Sequence, residues 1–274
     1  MNMQLIKNKQ IAWAEEMKNS PLKEKTIKKY MRDVTNWLDF YGDNPPNTYL
    51  NEYENYLLSK YKVSTVNSII MSINKFISWT KFDLQKMQYV KTQSINSPDI
   101  LTRTEYEIML NYAKKTGRMK MYYIMKTLAS TGIRIAELKY ITRETLEEGT
   151  VHVYNKSKER VIIMANSLCN ALRDYSQKEG ISSGIIFFGN KKGKSITPSA
   201  VWQNMQFIAK QSGVALQHAH PHNLRHLFAR TYIEITGNIS ELADILGHEN
   251  LETTRRYLVS TIAEKRKNIE QMNL

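Results

Sequence analysis

Cysteine is almost missing from this sequence: among 274 residues there is one, Cys169, inside the apolar run of an expected helix. A single thiol cannot close an internal disulfide, so the fold has no such covalent staple, and this usage suits a reducing cytoplasm. A continuous apolar stretch is missing near the N-terminus, where MNMQLIKNKQIAWAEEMK mixes acids and bases. That excludes a signal peptide or a membrane span there. No internal repeat, low-complexity tract or metal-type carboxylate cluster is visible. Acidic residues are in short supply, 26 Asp and Glu against 39 Lys and Arg, which leaves a net charge of +13. Such a surplus favours a polyanionic partner and binding that weakens with salt. Charge alone does not separate that reading from a merely soluble basic protein.

The length suits a sizeable core and two domains. Residues 1–90 read as all helix. In PLKEKTIKKYMRDVTNWLDFYG the residues Ile27, Tyr30, Met31, Val34, Trp37, Leu38 and Tyr41 fall at helical spacing. Ser20 is the expected cap and Pro21 the first helical position, with Gly42 and Pro45–Pro46 as the stop. Further helices are expected over Tyr49–Lys60 and Thr65–Trp79. Periodicity then fades, and a linker is expected over 91–100.

Residues 101–274 read differently. Thr102 and Glu105 form a capping box for the next helix. Arg118–Ser130 is apolar on most faces and reads as a buried helix, broken by Thr131–Gly132 before a short helix carrying Arg134. VHVY (151–154) and RVIIM (160–164) are strand-like runs around the turn NKSK. Helices are expected over Asn166–Glu179, Pro198–Ser212, Pro221–Thr236, Ser240–Leu246 and Leu251–Leu258. The fold class is therefore mainly α with a small β-sheet.

The residues that carry chemistry cluster late in the chain. HPHNLRHLFARTYIEITGNISELADILGHENLETTRRYL (220–258) holds an H-x-x-R step, His222 and Arg225, then LGH ending at His248, then Tyr257. Arg134 and Glu137 lie one turn apart in TGIRIAEL, where the carboxylate can hold the guanidinium. Two guanidiniums can clamp one phosphodiester, two imidazoles can hydrogen-bond or shuttle protons there, and a phenol can attack it. His218, His220, His222 and His226 lie close enough in sequence to suggest zinc. An H-x-x-R face on a helix opened by Pro221 fits better, with His226 left outside the site. GNKKGKS (189–195) has only three residues between its glycines and is no Walker loop. It reads as a basic turn. Tyr232 is the nearest rival to Tyr257, but its helical neighbours Leu227, Phe228 and Ile235 mark it as core.

These boxes, in this order, resemble those of the tyrosine recombinases, the integrase family, in their Xer-like branch. The resemblance implies a helical core-binding (DNA-clamp) domain at 1–90 and a catalytic domain at 101–274 with a tail at 259–274. It implies site-specific DNA strand exchange through a 3′-phosphotyrosyl intermediate, with Tyr257 as nucleophile and Arg134, Arg225, His222 and His248 around the phosphate. Glu137 stands behind Arg134. Family hairpins read G-K-G-x-K-x-R and this one reads N-K-S-K-E-R, a residue shorter. Lys156 takes the place of the catalytic lysine, with Lys158 as the alternative. The resemblance implies no cofactor and no metal. The expected partner is double-stranded DNA with paired sites, bound by a homotetramer that is monomeric when free, in the cytoplasm and away from membranes. The additional arm-binding domain of larger phage integrases is expected to be absent. The alternatives are a type IB topoisomerase-like enzyme and an inactive DNA-binding regulator.

Overall fold

The computed structural model describes residues 3–42, 50–91, 100–155, 158–189, 193–247, 254 and 270. The chain divides into two compact units, Met1–Ile95 and Asn96–Leu274.

The described part of the first unit holds α1 (Met3–Lys18), α2 (Glu24–Tyr41), α3 (Leu50–Lys60) and α4 (Val63–Thr80). The helical spacing of α2 is realised as a buried stripe of Tyr30, Val34, Trp37, Leu38 and Tyr41. It packs into one core with Ile6, Trp13, Leu57, Val66, Ile70 and Phe76. The expected start of α2 is wrong by three residues. Lys23 takes the cap position and Glu24 opens the helix. Ser20 belongs to the preceding turn, where its hydroxyl donates to the Met17 carbonyl at 2.6 Å and closes α1. Beyond α4 the chain runs extended along that helix. Asn74 pairs with the backbone of Met87, and Asn67 with that of Val90, each donating and accepting once at 2.8–3.0 Å. Two amide side chains thus do for this strap what a neighbouring strand does in a sheet.

α2 also buries Asp33. Lys29 Nζ donates to Asp33 Oδ2 at 2.7 Å, to Ser72 Oγ at 2.9 Å and to the Ser68 carbonyl at 3.0 Å. Arg32 meets the other carboxylate oxygen at 3.1 Å. An ionised side chain is tolerated in this core because it is paired and hydrogen-bonded.

The described part of the second unit contains α5 (Arg103–Lys115), α6 (Met119–Thr131), a 3-10 helix (Ile135–Tyr140), α7 (Thr145–Glu148), β1 (Thr150–Asn155), β2 (Lys158–Ile163), α8 (Asn166–Lys178), α9 (Pro198–Ser212), α10 (Pro221–Thr236) and α11 (Ile239–Leu246). The Thr102–Glu105 capping box forms in both directions. α6 runs through the core, with Ile124, Met125 and Leu128 fully buried. Cys169 is buried on α8. The strands pair antiparallel, with Val151 opposite Ile162 and Val153 opposite Arg160. Val151, Val153 and Ile162 face the core while Tyr154, Val161 and Ile163 face solvent, as the two-residue period of a strand requires. Arg160 shares the inward face with Ile162. No described helix is long and apolar enough to cross a membrane.

Candidate active site

Gly132 ends α6 in the left-handed conformation, at φ 61°. A Cβ there would lie 2.5 Å from the Phe228 ring, so α6 can stop against α10 only with glycine. Two residues on, Arg134 caps the 3-10 helix. Its backbone N–H donates to Glu137 Oε2 at 2.8 Å, and the Glu137 N–H donates back to the Arg134 carbonyl at 2.8 Å. The same carboxylate accepts from the Arg134 guanidinium through Oε1 at 3.1 Å. The one-turn contact read from TGIRIAEL is therefore present twice over. It leaves 34% of the Arg134 side chain open to solvent.

Arg225 comes to the same place from α10. It is only 2% exposed, one of the largest side chains buried in the molecule. Its guanidinium donates to the Gly132 carbonyl and the Leu246 carbonyl, each at 2.6 Å. A guanidinium so deep needs fixed acceptors for its charge and its protons. Here they are the carbonyls at the ends of α6 and α11, where a helix has no acceptor-satisfying partners of its own.

A third arginine, the last residue of the hairpin run N-K-S-K-E-R, has no role assigned from the sequence. Arg160, on the inner face of β2, donates to the Ile245 carbonyl at 2.9 Å and makes a close ion pair with Glu137 Oε2. Arg134 donates to the Gly247 carbonyl at 3.3 Å. Three successive carbonyls at the end of α11, those of Ile245, Leu246 and Gly247, thus each receive one arginine, from β2, α10 and the 3-10 helix respectively. The negative end of a helix dipole favours cations at this spot. The sequence does carry one trace of Arg160: an arginine placed two residues before a core-facing strand position must point inward, where it needs a carboxylate.

His222 sits one turn before Arg225 on α10. It is an exposed residue, yet desolvation by the protein around its ring, then Arg225 and Arg134, hold its pKa below the usual 6.5 and favour the neutral ring. His226 packs edge-on against it, with centroids 4.4 Å apart. His226 thus packs against a site residue although the sequence reading leaves it outside the site. The other histidines turn elsewhere: His218 Nδ1 is 2.8 Å from Glu105, and His220 accepts from Trp202 at 2.9 Å. Tyr232 packs beside Phe228 against the Ala229, Leu242 and Leu246 cluster. Lys156, His248 and Tyr257 lie outside the described residues, as does the tail at 259–269 and 271–274. Lys158 opens β2.

A mostly helical chain whose second unit gathers three arginines and a histidine around one helix end offers a preformed seat for an anion such as a phosphate. Likeness to known proteins defines the class, an enzyme that breaks and rejoins DNA strands, a tyrosine-type site-specific recombinase. Residues 99–264 match the phage integrase family. A tyrosine recombinase of Agathobacter rectalis is 28% identical, over 89% of each chain. The tyrosine recombinase XerA of Thermococcus kodakarensis is 24% identical, over 91% of this chain and 89% of its own. Among solved structures, the Tn1549 transposon integrase in complex with transposon right end DNA matches all of both chains with a TM-score of 0.75 at 18% identity, a likeness of fold. The chain belongs to the phage integrase family, in its Xer-like branch.

Proposed function

We propose that the chain exchanges DNA strands at paired sites by attack of Tyr257 on a phosphodiester. The Tyr257 oxygen forms a bond to phosphorus, the bond to the 5′ oxygen breaks, and the strand end is held as a 3′-phosphotyrosyl ester. Arg134 and Arg225 offset the charge that develops on the non-bridging oxygens, and such electrostatic stabilisation dominates the catalysis of phosphoryl transfer. His248 adds a hydrogen bond to them. His222, neutral near pH 7, takes the tyrosine proton. Lys156 delivers a proton to the leaving 5′ oxygen, with Lys158 as its alternative. The ester conserves the energy of the broken bond, so the reverse attack by a 5′ hydroxyl rejoins DNA without ATP. No cofactor or metal takes part.

The observation that carries this reading is the convergence of Arg134 and Arg225 on adjacent carbonyls of α11. Guanidiniums held before substrate arrives cost little reorganisation at the moment of reaction. In this reading residues 1–90 clamp the duplex, 91–100 link the units, and 101–274 carry the chemistry. Four copies assemble on two sites through the tail at 259–274, a free copy is a monomer, and the protein works in the cytoplasm.

Tyr257→Phe removes only the hydroxyl. On a nicked suicide duplex the Phe variant is expected to bind as the parent does and to form no covalent protein–DNA band on a denaturing gel. A band at parental yield would remove Tyr257 from the role of nucleophile.

A further inference from the structure

We infer that Arg160 is a positioning residue for the phosphate clamp, acting through Glu137 and the end of α11 rather than on DNA. The inference rests on the reading of Arg134 and Arg225 as that clamp. Arg160 is 11% exposed, and its two terminal nitrogens are given to protein acceptors, Glu137 and the Ile245 carbonyl. Its guanidinium joins three elements. It stands on β2, pairs with Glu137 on the 3-10 helix, and donates to Ile245 at the end of α11.

Glu137 is itself 8% exposed and divides its two oxygens. Oε1 takes the Arg134 guanidinium, and Oε2 takes both the Arg134 backbone N–H and Arg160. Remove Arg160 and a buried carboxylate keeps one cation instead of two, so Arg134 must answer to it alone. The Ile245 carbonyl also loses its donor. That carbonyl adjoins the two that hold Arg225 and Arg134, so the loss reaches both arms of the clamp.

The backbone is shaped for this side chain. Gly247 has φ 64°, and a Cβ added there would sit 2.7 Å from Arg160 Cδ. The glycine at the end of α11 therefore serves two purposes, the left-handed turn and the passage of the Arg160 stem. Lysine cannot replace the arginine fully, because a point charge does not span a carboxylate on one element and a carbonyl on another.

The test uses the full chain and three suicide duplexes. One has an ordinary scissile phosphate, one has a methyl group replacing a non-bridging oxygen, and one has sulfur replacing the 5′ bridging oxygen. The methylphosphonate carries no charge for the clamp to offset, and the thiolate leaves without a proton. Arg160→Met is expected to slow cleavage of the ordinary duplex by tenfold to about a hundredfold, the scale of a misplaced catalytic group. Arg160→Lys should fall between it and the parent. The defect should largely vanish on the methylphosphonate and persist on the sulfur substrate, with duplex affinity unchanged. Relief on sulfur alone would instead place Arg160 behind the hairpin lysine. An equal loss on all three substrates, tracking a fall in Tm, would make it a purely structural residue. Either result overturns the inference. Arg134→Ala and Arg225→Ala run alongside. If neither is relieved by the methylphosphonate, the clamp reading itself fails, whatever Arg160 does.

Discussion

Among the described residues each unit buries one carboxylate between two cations, and the two arrangements differ in where the cations finish. In the first unit Asp33 lies between Lys29 and Arg32. All three ammonium protons of Lys29 have acceptors, and those acceptors are Asp33, Ser72 and Ser68. Through Lys29 the cluster ties α2 to α4, while Arg32 lies on the surface. In the second unit Glu137 lies between Arg134 and Arg160. Its cations reach past the carboxylate to the carbonyls of α11, and Arg134 still shows a third of its side chain to solvent. A lysine in the first place completes a core. Forked guanidiniums in the second join the carboxylate to the end of another helix. The same pairing rule for buried charge therefore ties two helices together in one unit and, in the proposed reading, holds the phosphate clamp in the other.

Three substitutions test that contrast. Glu137→Ala should be the most damaging, because it releases two arginines at once. Cleavage of a suicide duplex should fall about a hundredfold, as when one preorganised electrostatic partner of a reacting group is lost, while duplex binding on a gel persists. Equal losses of binding and cleavage would mean that Glu137 shapes the whole surface and not the clamp. Asp33→Asn should act on stability instead. Chemical denaturation should show a loss of about 2 kcal/mol, below the usual cost of breaking a buried pair because Lys29 and Arg32 both reach water. Cleavage per folded molecule should match the parent. If cleavage falls and stability does not, the two clusters are not divided as described.

The smallest effect concerns pH. His222 has a folded pKa below 6.5 through burial first and then the charges of Arg225 and Arg134. The unfolded ring takes up its proton before the folded one does. The stability it contributes is full above the unfolded value and is lost as pH falls through the folded value. The parent should lose more stability between neutral and mildly acid pH than His222→Gln. Parallel curves for the two proteins would show that folding does not lower the pKa of this ring.

Much of this was legible because the chain is well punctuated. Pro198 and Gly213 bracket α9, and Pro221 and Gly237 bracket α10, so both helices run as the sequence marks them. The capping box at Thr102 and the change of period at β1 and β2 were equally plain. Ser20 misled because serine before proline reads as a helix start, and only the backbone of α1 shows its hydroxyl turned the other way. α7 is four residues long, too short to carry a period. Arg160 was hidden for a different reason. Its carboxylate lies 23 residues upstream and its carbonyl 85 downstream, and no local pattern encodes a partner at that distance. Arg134 and Glu137, one turn apart, needed no such reach.

Those separations also set an order of events during synthesis. Arg134 and Arg160 leave the ribosome long before Ile245 and Gly247, and Arg225 waits for Leu246. Contacts of this span form late, since the chain between them must be made and then gathered. A nascent chain stopped short of α11 has its arginines but none of the three carbonyls that align them. The alignment of the three arginines is thus withheld until the chain has been made through α11, and fragments released earlier carry the arginines without the carbonyls that hold them.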